Sequence, residues 1–214
     1  SGADPEDVEA QLRRALALYV ESGDLIGEAE VSDRLGFVRI RKGDYRSGLG
    51  LLERSNRMLR SAGVPEHETG MNLAWAYLEV GRFRDSARLS RPLATSSRKA
   101  VRRAYAHVCL LNAHTRLGEF AEAASLAPAA NALVEELNLP HLRTWLTASL
   151  AALYRLAGQA PVAAPFVGEA LQMARSGNPE HAHLPARLEA AMLHLFSTGN
   201  AHAAAEIAQN TLET

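Results

Sequence analysis

Eight histidines and a single cysteine are the first residues to question, because imidazole and thiolate groups ligate metals, carry protons and act as nucleophiles. His107 and His114 lie seven residues apart inside a helical pattern, at positions expected to pack between helices. His181-x-His183, followed by His194 and His202, has conceivable ligand spacing. No Asp or Cys accompanies it, and Glu180 and Glu189 read as ordinary helix surface, so no metal site is expected. Cys109, being alone, excludes an internal disulfide framework and any multi-cysteine zinc or iron-sulfur centre. Its setting predicts a small buried or groove-lining residue rather than a nucleophile. The glycines do not cluster as GxGxxG or GxxxxGK[ST], which leaves no phosphate cradle. The carboxylates Glu135-Glu136 and Glu28 with Glu30 sit on helical stretches with apolar opposite faces, where solvated surface is the simpler meaning. No acid, base and nucleophile converge, so neither catalysis nor a cofactor is expected.

Charge is more informative than reactivity. The chain has 214 residues with 23 Lys and Arg against 24 Asp and Glu, a formal net charge of −1. This balance argues against a uniformly basic nucleic-acid binder, and direct nucleic-acid binding is not expected. The basic residues are nevertheless concentrated: Arg82, Arg84, Arg88, Arg91, Arg98, Lys99, Arg102 and Arg103 stand against Asp85 alone, between two acidic flanks. Such a belt suits an acidic partner, whether nucleic acid or an acidic domain of the same parent chain, or the acidic end of a second copy; a solvated helix and loop is the simpler meaning. No run of about 18 apolar residues occurs and the first residues lack the basic and apolar regions of a signal peptide, so no membrane association is expected. Together with the lone cysteine, this points to a cytoplasmic, reducing location.

The elements that hold these residues follow from an internal repeat. The segments 35–55, 73–93 and 110–130 align without gaps, and 150–170 and 191–211 follow more weakly. Gly43, Gly81, Gly118, Gly158 and Gly199 mark the register at spacings of 37 to 41 residues. Two residues after each stands an aromatic or alanine (Tyr45, Phe83, Phe120, Ala160, Ala201), and three further on a small residue (Gly48, Ser86, Ala123, Ala163, Ala204). Ahead of each glycine lies an amphipathic pattern, helix A, ending where a left-handed residue is needed. A second pattern, helix B, begins after a turn of about two residues and must pack antiparallel to it. The small residue admits close approach of A and B, and the aromatic is expected to plug the gap between neighbouring units. No strand signal competes.

Leu35-Gly36, Gly43-Asp44-Tyr45, Tyr77, Gly81, Phe83 and Tyr154 resemble the tetratricopeptide repeat pattern, over nearly the whole chain. The period exceeds 34 residues, and Pro92, Pro128 and Pro165 fall inside helix B instead of after it, which predicts shortened or kinked B helices. The longer period resembles the variant in large bacterial signalling and transcription-regulating proteins. The resemblance implies an all-α, right-handed superhelix of antiparallel pairs, about eleven helices in one array over 3–214. Its parts are a half repeat at 6–22 and repeats at about 25–62, 65–95, 98–137, 140–176 and 180–213. Both ends look cut, which predicts either an excised fragment associating through its ends or a single capping helix at the start.

The same resemblance implies a concave wall lined by helix A, with Glu30, Asp33, Arg34, Phe37 and Arg41, then Met71, Asn72, Trp75 and Glu79, then Asn112 and Arg116, then Trp145 and Arg155 facing inward. Arg34, Phe37, Arg41, Met71, Asn72, Trp75, Glu79, Asn112 and Arg116 form the candidate groove. Aromatic anchors rimmed by polar groups suit a protein or peptide partner. The alternative is that Phe37, Trp75 and Trp145 are packed between helices. Chaperone-binding members of the family clamp a C-terminal carboxylate with Lys and Asn one turn apart. The pairs at those positions here are Asp33 with Phe37 and Met71 with Trp75, which argues against that ligand class. The expectation is a non-catalytic interaction or ligand-sensing module from a bacterial transcriptional regulator, with a free-standing scaffold as the alternative.

Overall fold

The computed structural model describes residues 5–65, 69–176 and 192, and the chain divides into two compact units, 1–109 and 110–214. The described residues are helical throughout, with no strand among them. In order they form α1 (Pro5–Ser22), α2 (Leu25–Arg41), α3 (Tyr45–Ser61), α4 (Met71–Glu79), α5 (Phe83–Ser96), α6 (Ala100–Leu117), α7 (Phe120–Glu136), α8 (Pro140–Leu156) and α9 (Ala160–Ser176). The sequence predicts eleven helices where the described residues give nine. The last repeat, at 180–213, and the histidine cluster within it lie outside the described residues.

Each A helix ends where the repeat places its glycine. Gly43 (φ 83°) and Gly81 (φ 77°) turn the chain in the left-handed region that side chains avoid. Between repeats the same conformation falls to Gly23 and Gly63, and after the third repeat to Asn138 (φ 47°), a residue type that tolerates it. Helix starts are fixed by side-chain caps at Asp24, whose carboxylate accepts from the Gly27 amide at 3.0 Å, and at Asp44, which accepts from Ser47 at 3.2 Å.

In the first unit α2 and α3 pack at a glycine-on-glycine crossing. A Cβ placed on Gly48 would lie 2.9 Å from the Gly36 carbonyl oxygen and 2.8 Å from the Ile40 side chain. The corresponding Ser86, Ala123 and Ala163 are fully buried, as the small-residue rule predicts. Ile40, Leu52, Leu73, Ala74, Tyr77 and Leu89 form the core that joins α2 to α5. In the second unit one side of α8 buries Leu142, Leu146, Leu150 and Leu153, and Tyr154 stacks on Phe166 of α9 with ring centroids 5.4 Å apart.

Two local expectations are corrected. Helices α5, α7 and α9 run unbroken through Pro92, Pro128 and Pro165. Each proline removes one backbone hydrogen bond from its helix, but burial of a whole apolar face, such as Leu89, Leu93 and Ala94 on α5, holds the flanking turns together. Tyr45 does not plug a gap: it is the first residue of α3 and 44% exposed. Phe83 and Phe120, at the same register, are half-buried.

Candidate binding surface

The neighbouring A helices α2 and α4 bring together the first half of the predicted groove. Phe37 and Trp75 occupy the same register, six residues before Gly43 and Gly81. Their rings meet at 5.1 Å between centroids, tilted by 50°. Both are half-buried, and Trp75 packs with Met71 against the Ile40–Leu52–Leu73 core. Trp75 is therefore at once a packing residue and an accessible one, and the two readings of the sequence meet in one side chain. The Arg41 guanidinium lies 6.0 Å from the centre of the Phe37 ring. Arg34, Arg41 and Glu79 are exposed at the rim.

Asn72 is engaged within the protein: its amide donates to the Asp33 carboxylate at 2.5 Å, tying α4 to α2 beside the aromatic pair. Burial raises the Asp33 carboxyl above the ordinary aspartate range, against the opposing pull of Asn72, Arg102 and Arg34. A carboxyl raised in the folded state imposes no penalty below the ordinary aspartate pKa, and its cost to stability develops as pH rises through the raised value. Asp33→Asn keeps an acceptor for Asn72 and removes the charge. It is expected to raise the melting temperature at pH 7 and to lose that advantage below about pH 4. An equal difference at both pH values would rule out desolvation as its cause.

Asn112 and Arg116 belong to the second unit. Asn112 donates to Ser149 Oγ at 2.7 Å, and Ser149 in turn donates to the Trp145 carbonyl, so Asn112 joins α6 to α8. Arg116 is exposed, Trp145 half-buried and Arg155 buried, which takes Arg155 out of the predicted groove lining. An open cleft of about 180 Å³ in this unit is lined by Arg143, Glu135, Glu169, Thr147 and Phe166. That volume is below what a drug-sized molecule needs, roughly 300 Å³ or more.

The basic belt is not one surface. Arg82 is spent locally: it bonds Asp85 at 2.8 Å and Glu53 at 3.0 Å and lies 4.1 Å over the Tyr77 ring. Tyr77 also donates to Glu53, and burial together with that carboxylate pushes its hydroxyl up to about 12. Arg103 donates to the Ser97 carbonyl at 3.0 Å, and the charge of Arg102 acts on the Asp33 carboxyl. Arg84, Arg88 and Arg91 form an exposed stripe on α5, with Arg98 and Lys99 exposed in the following turn. The role of Arg102 at Asp33 is invisible in sequence, because it depends on which helices become neighbours.

Cys109, His107 and His114 are occupied structurally. Cys109 is fully buried, and burial pushes its thiol well up, away from nucleophilic use. His107 Nδ1 meets the Arg103 carbonyl at 2.8 Å, and buried His114 meets Glu119 at 2.5 Å. Among the described residues no group of three or more His, Cys, Asp or Glu could hold a metal ion, and no helix is long and apolar enough to cross a membrane.

No protein-family model and no curated protein matches the chain. Among solved structures it is similar to BtubC (BKLC) from P. vanneervenii, with a TM-score of 0.62 at 15% identity, over 99% of this chain and 92% of that one. It is also similar to a P. anserina kinesin light chain with nearly identical TPR-like repeats, with a TM-score of 0.47 at 16% identity, over 99% of this chain and 97% of that one. At such identities the first likeness is one of fold. Antiparallel helix pairs joined at left-handed glycines, crossing at small residues and recurring about every forty residues, identify the described residues as a tetratricopeptide-like helical repeat.

Proposed function

We propose that the chain is a non-catalytic protein-interaction module that seats a peptide or helix of its partner on the Phe37–Trp75 pair. The observation that carries this reading is the pair itself: two aromatic rings at one register of adjacent A helices, half-exposed, braced by the Asp33–Asn72 bond and rimmed by Arg34 and Arg41. Aromatic side chains supply contact area at low entropic cost, and the flanking charges fix register. The two rim arginines favour a partner segment that is both acidic and apolar. The long period favours a place within a cytoplasmic bacterial transcriptional regulator. A free-standing scaffold would use the surface in the same way, and the reading frame around the coding sequence separates the two.

The test is selection of binding peptides from a displayed library, followed by Trp75→Ala, Trp75→Phe and Arg88→Ala. Trp75→Ala is expected to weaken the selected peptides by about 2 kcal/mol or more, roughly thirtyfold. Trp75→Phe, which keeps most of the packing, should retain an intermediate affinity at a nearly unchanged melting temperature. Arg88→Ala on the outer helix should change little. The reverse ranking, with affinity falling steeply with salt, would move the site to the arginine stripe on α5.

A further inference from the structure

The exposed apolar surface is concentrated at one place. Of the ten exposed large hydrophobic residues among those described, five lie within 18–26: Leu18 (65%), Tyr19, Val20, Leu25 (60%) and Ile26. They sit on the last turns of α1 and the first turn of α2, held side by side by the tight turn in which the Asp24 amide donates to the Tyr19 carbonyl at 3.1 Å. Along α1 the partly buried residues are Val8, Glu9, Leu12, Ala15 and Leu16; Glu9 pairs with Arg39 of α2, and Tyr19 lies against Gly27. The face turned away from α2 therefore carries Ala10, Arg14, Ala17, Leu18 and Glu21, all exposed.

We propose that this face of α1 is a self-association surface and that its occupant is α1 of a second copy, antiparallel across a two-fold axis. The charge pattern carries the choice. When two identical helices cross antiparallel, the register that pairs Arg14 with Glu21 of the second copy necessarily pairs Glu21 with Arg14 of the second copy. It also sets Ala17 of each copy against Leu18 of the other. Opposite charges thus flank a small-on-large apolar centre on both sides, which is the self-complementarity that an isologous contact requires. Neither Arg14 nor Glu21 has an ion-pair or hydrogen-bond partner among the described residues, so both are available. The contrast with α3 is instructive, because residues 54–58 occupy the register of 14–18. There Arg57 replaces Ala17, and Arg54 is already paired with Glu28 at 2.6 Å. The surface is distinct from the Phe37–Trp75 pair, and neither proposal depends on the other.

Sedimentation velocity of the full chain across a concentration series tests this. The expected result is a reversible monomer–dimer equilibrium. Leu18→Glu should shift it to monomer with the melting temperature unchanged, since Leu18 buries little in the monomer. Arg14→Glu should weaken dimerisation about tenfold, and Arg14→Glu combined with Glu21→Arg should restore it, because the exchange preserves the reciprocal pairing. Ala17→Cys should cross-link two chains on mild oxidation, with no background from fully buried Cys109. A chain that stays monomeric at every concentration, or a dimer that survives Leu18→Glu, overturns the proposal. A double exchange no better than the single one overturns the two-fold register.

Discussion

Gly48→Val is expected to destabilise the first unit by about 3 kcal/mol, the upper end of what overpacking usually costs. The new Cβ alone would stand 2.9 Å from the Gly36 carbonyl oxygen, a backbone atom that cannot rotate aside, and 2.8 Å from Ile40. Relief requires α2 and α3 to separate, and with them Leu52, which is fully buried between the helices. Gly50, two residues along the same helix, supplies the control. A Cβ there meets nothing within 4 Å, so Gly50→Ala should stabilise by about 0.5–1 kcal/mol through helix propensity alone. Chemical denaturation of the two variants decides the matter. Equal effects of either sign would mean that the α2–α3 crossing is looser than the glycine contact indicates.

Pro128→Ala is expected to stabilise by about 2–3 kcal/mol, an unusually large gain for one exposed substitution. Pro128 lies in the interior of α7, which continues to Glu136, and its ring is exposed, so alanine sacrifices little packing while restoring a backbone donor. Part of the gain is offset by the extra freedom that alanine gives the unfolded chain. A rise in the denaturation midpoint without a change in its slope is the predicted signature. No change would mean that α7 is already frayed around residue 128 in solution.

The repeat itself was legible because its physics is local. A glycine that must adopt positive φ, a small residue where two helices cross and an apolar face at helical spacing each leave a mark within a few residues, so α1 to α9 fall close to where the period places them. The exception is α4, which begins only at Met71 after left-handed Gly70, whereas the period allows its repeat to start at about 65. His107, His114 and Cys109 could also be assigned structural roles from their register alone.

The candidate site was legible only in part, for a physical reason that separates Phe37 and Trp75 from their neighbours. Those two share one register on neighbouring A helices, and the structure brings their rings together. The fate of the polar groups depends on neighbours far away in sequence: Asn72 closes on Asp33, the charge of Arg102 acts on the same carboxylate, Arg82 is consumed by Glu53 and Tyr77, and Asn112 turns to Ser149. Sequence by itself determined the fold class and the helix register, because backbone conformation and side-chain periodicity are set over a few residues. Tertiary structure decided which charges are spent and which remain to meet a partner, because an ion pair depends on distances of a few ångströms that only helix packing fixes.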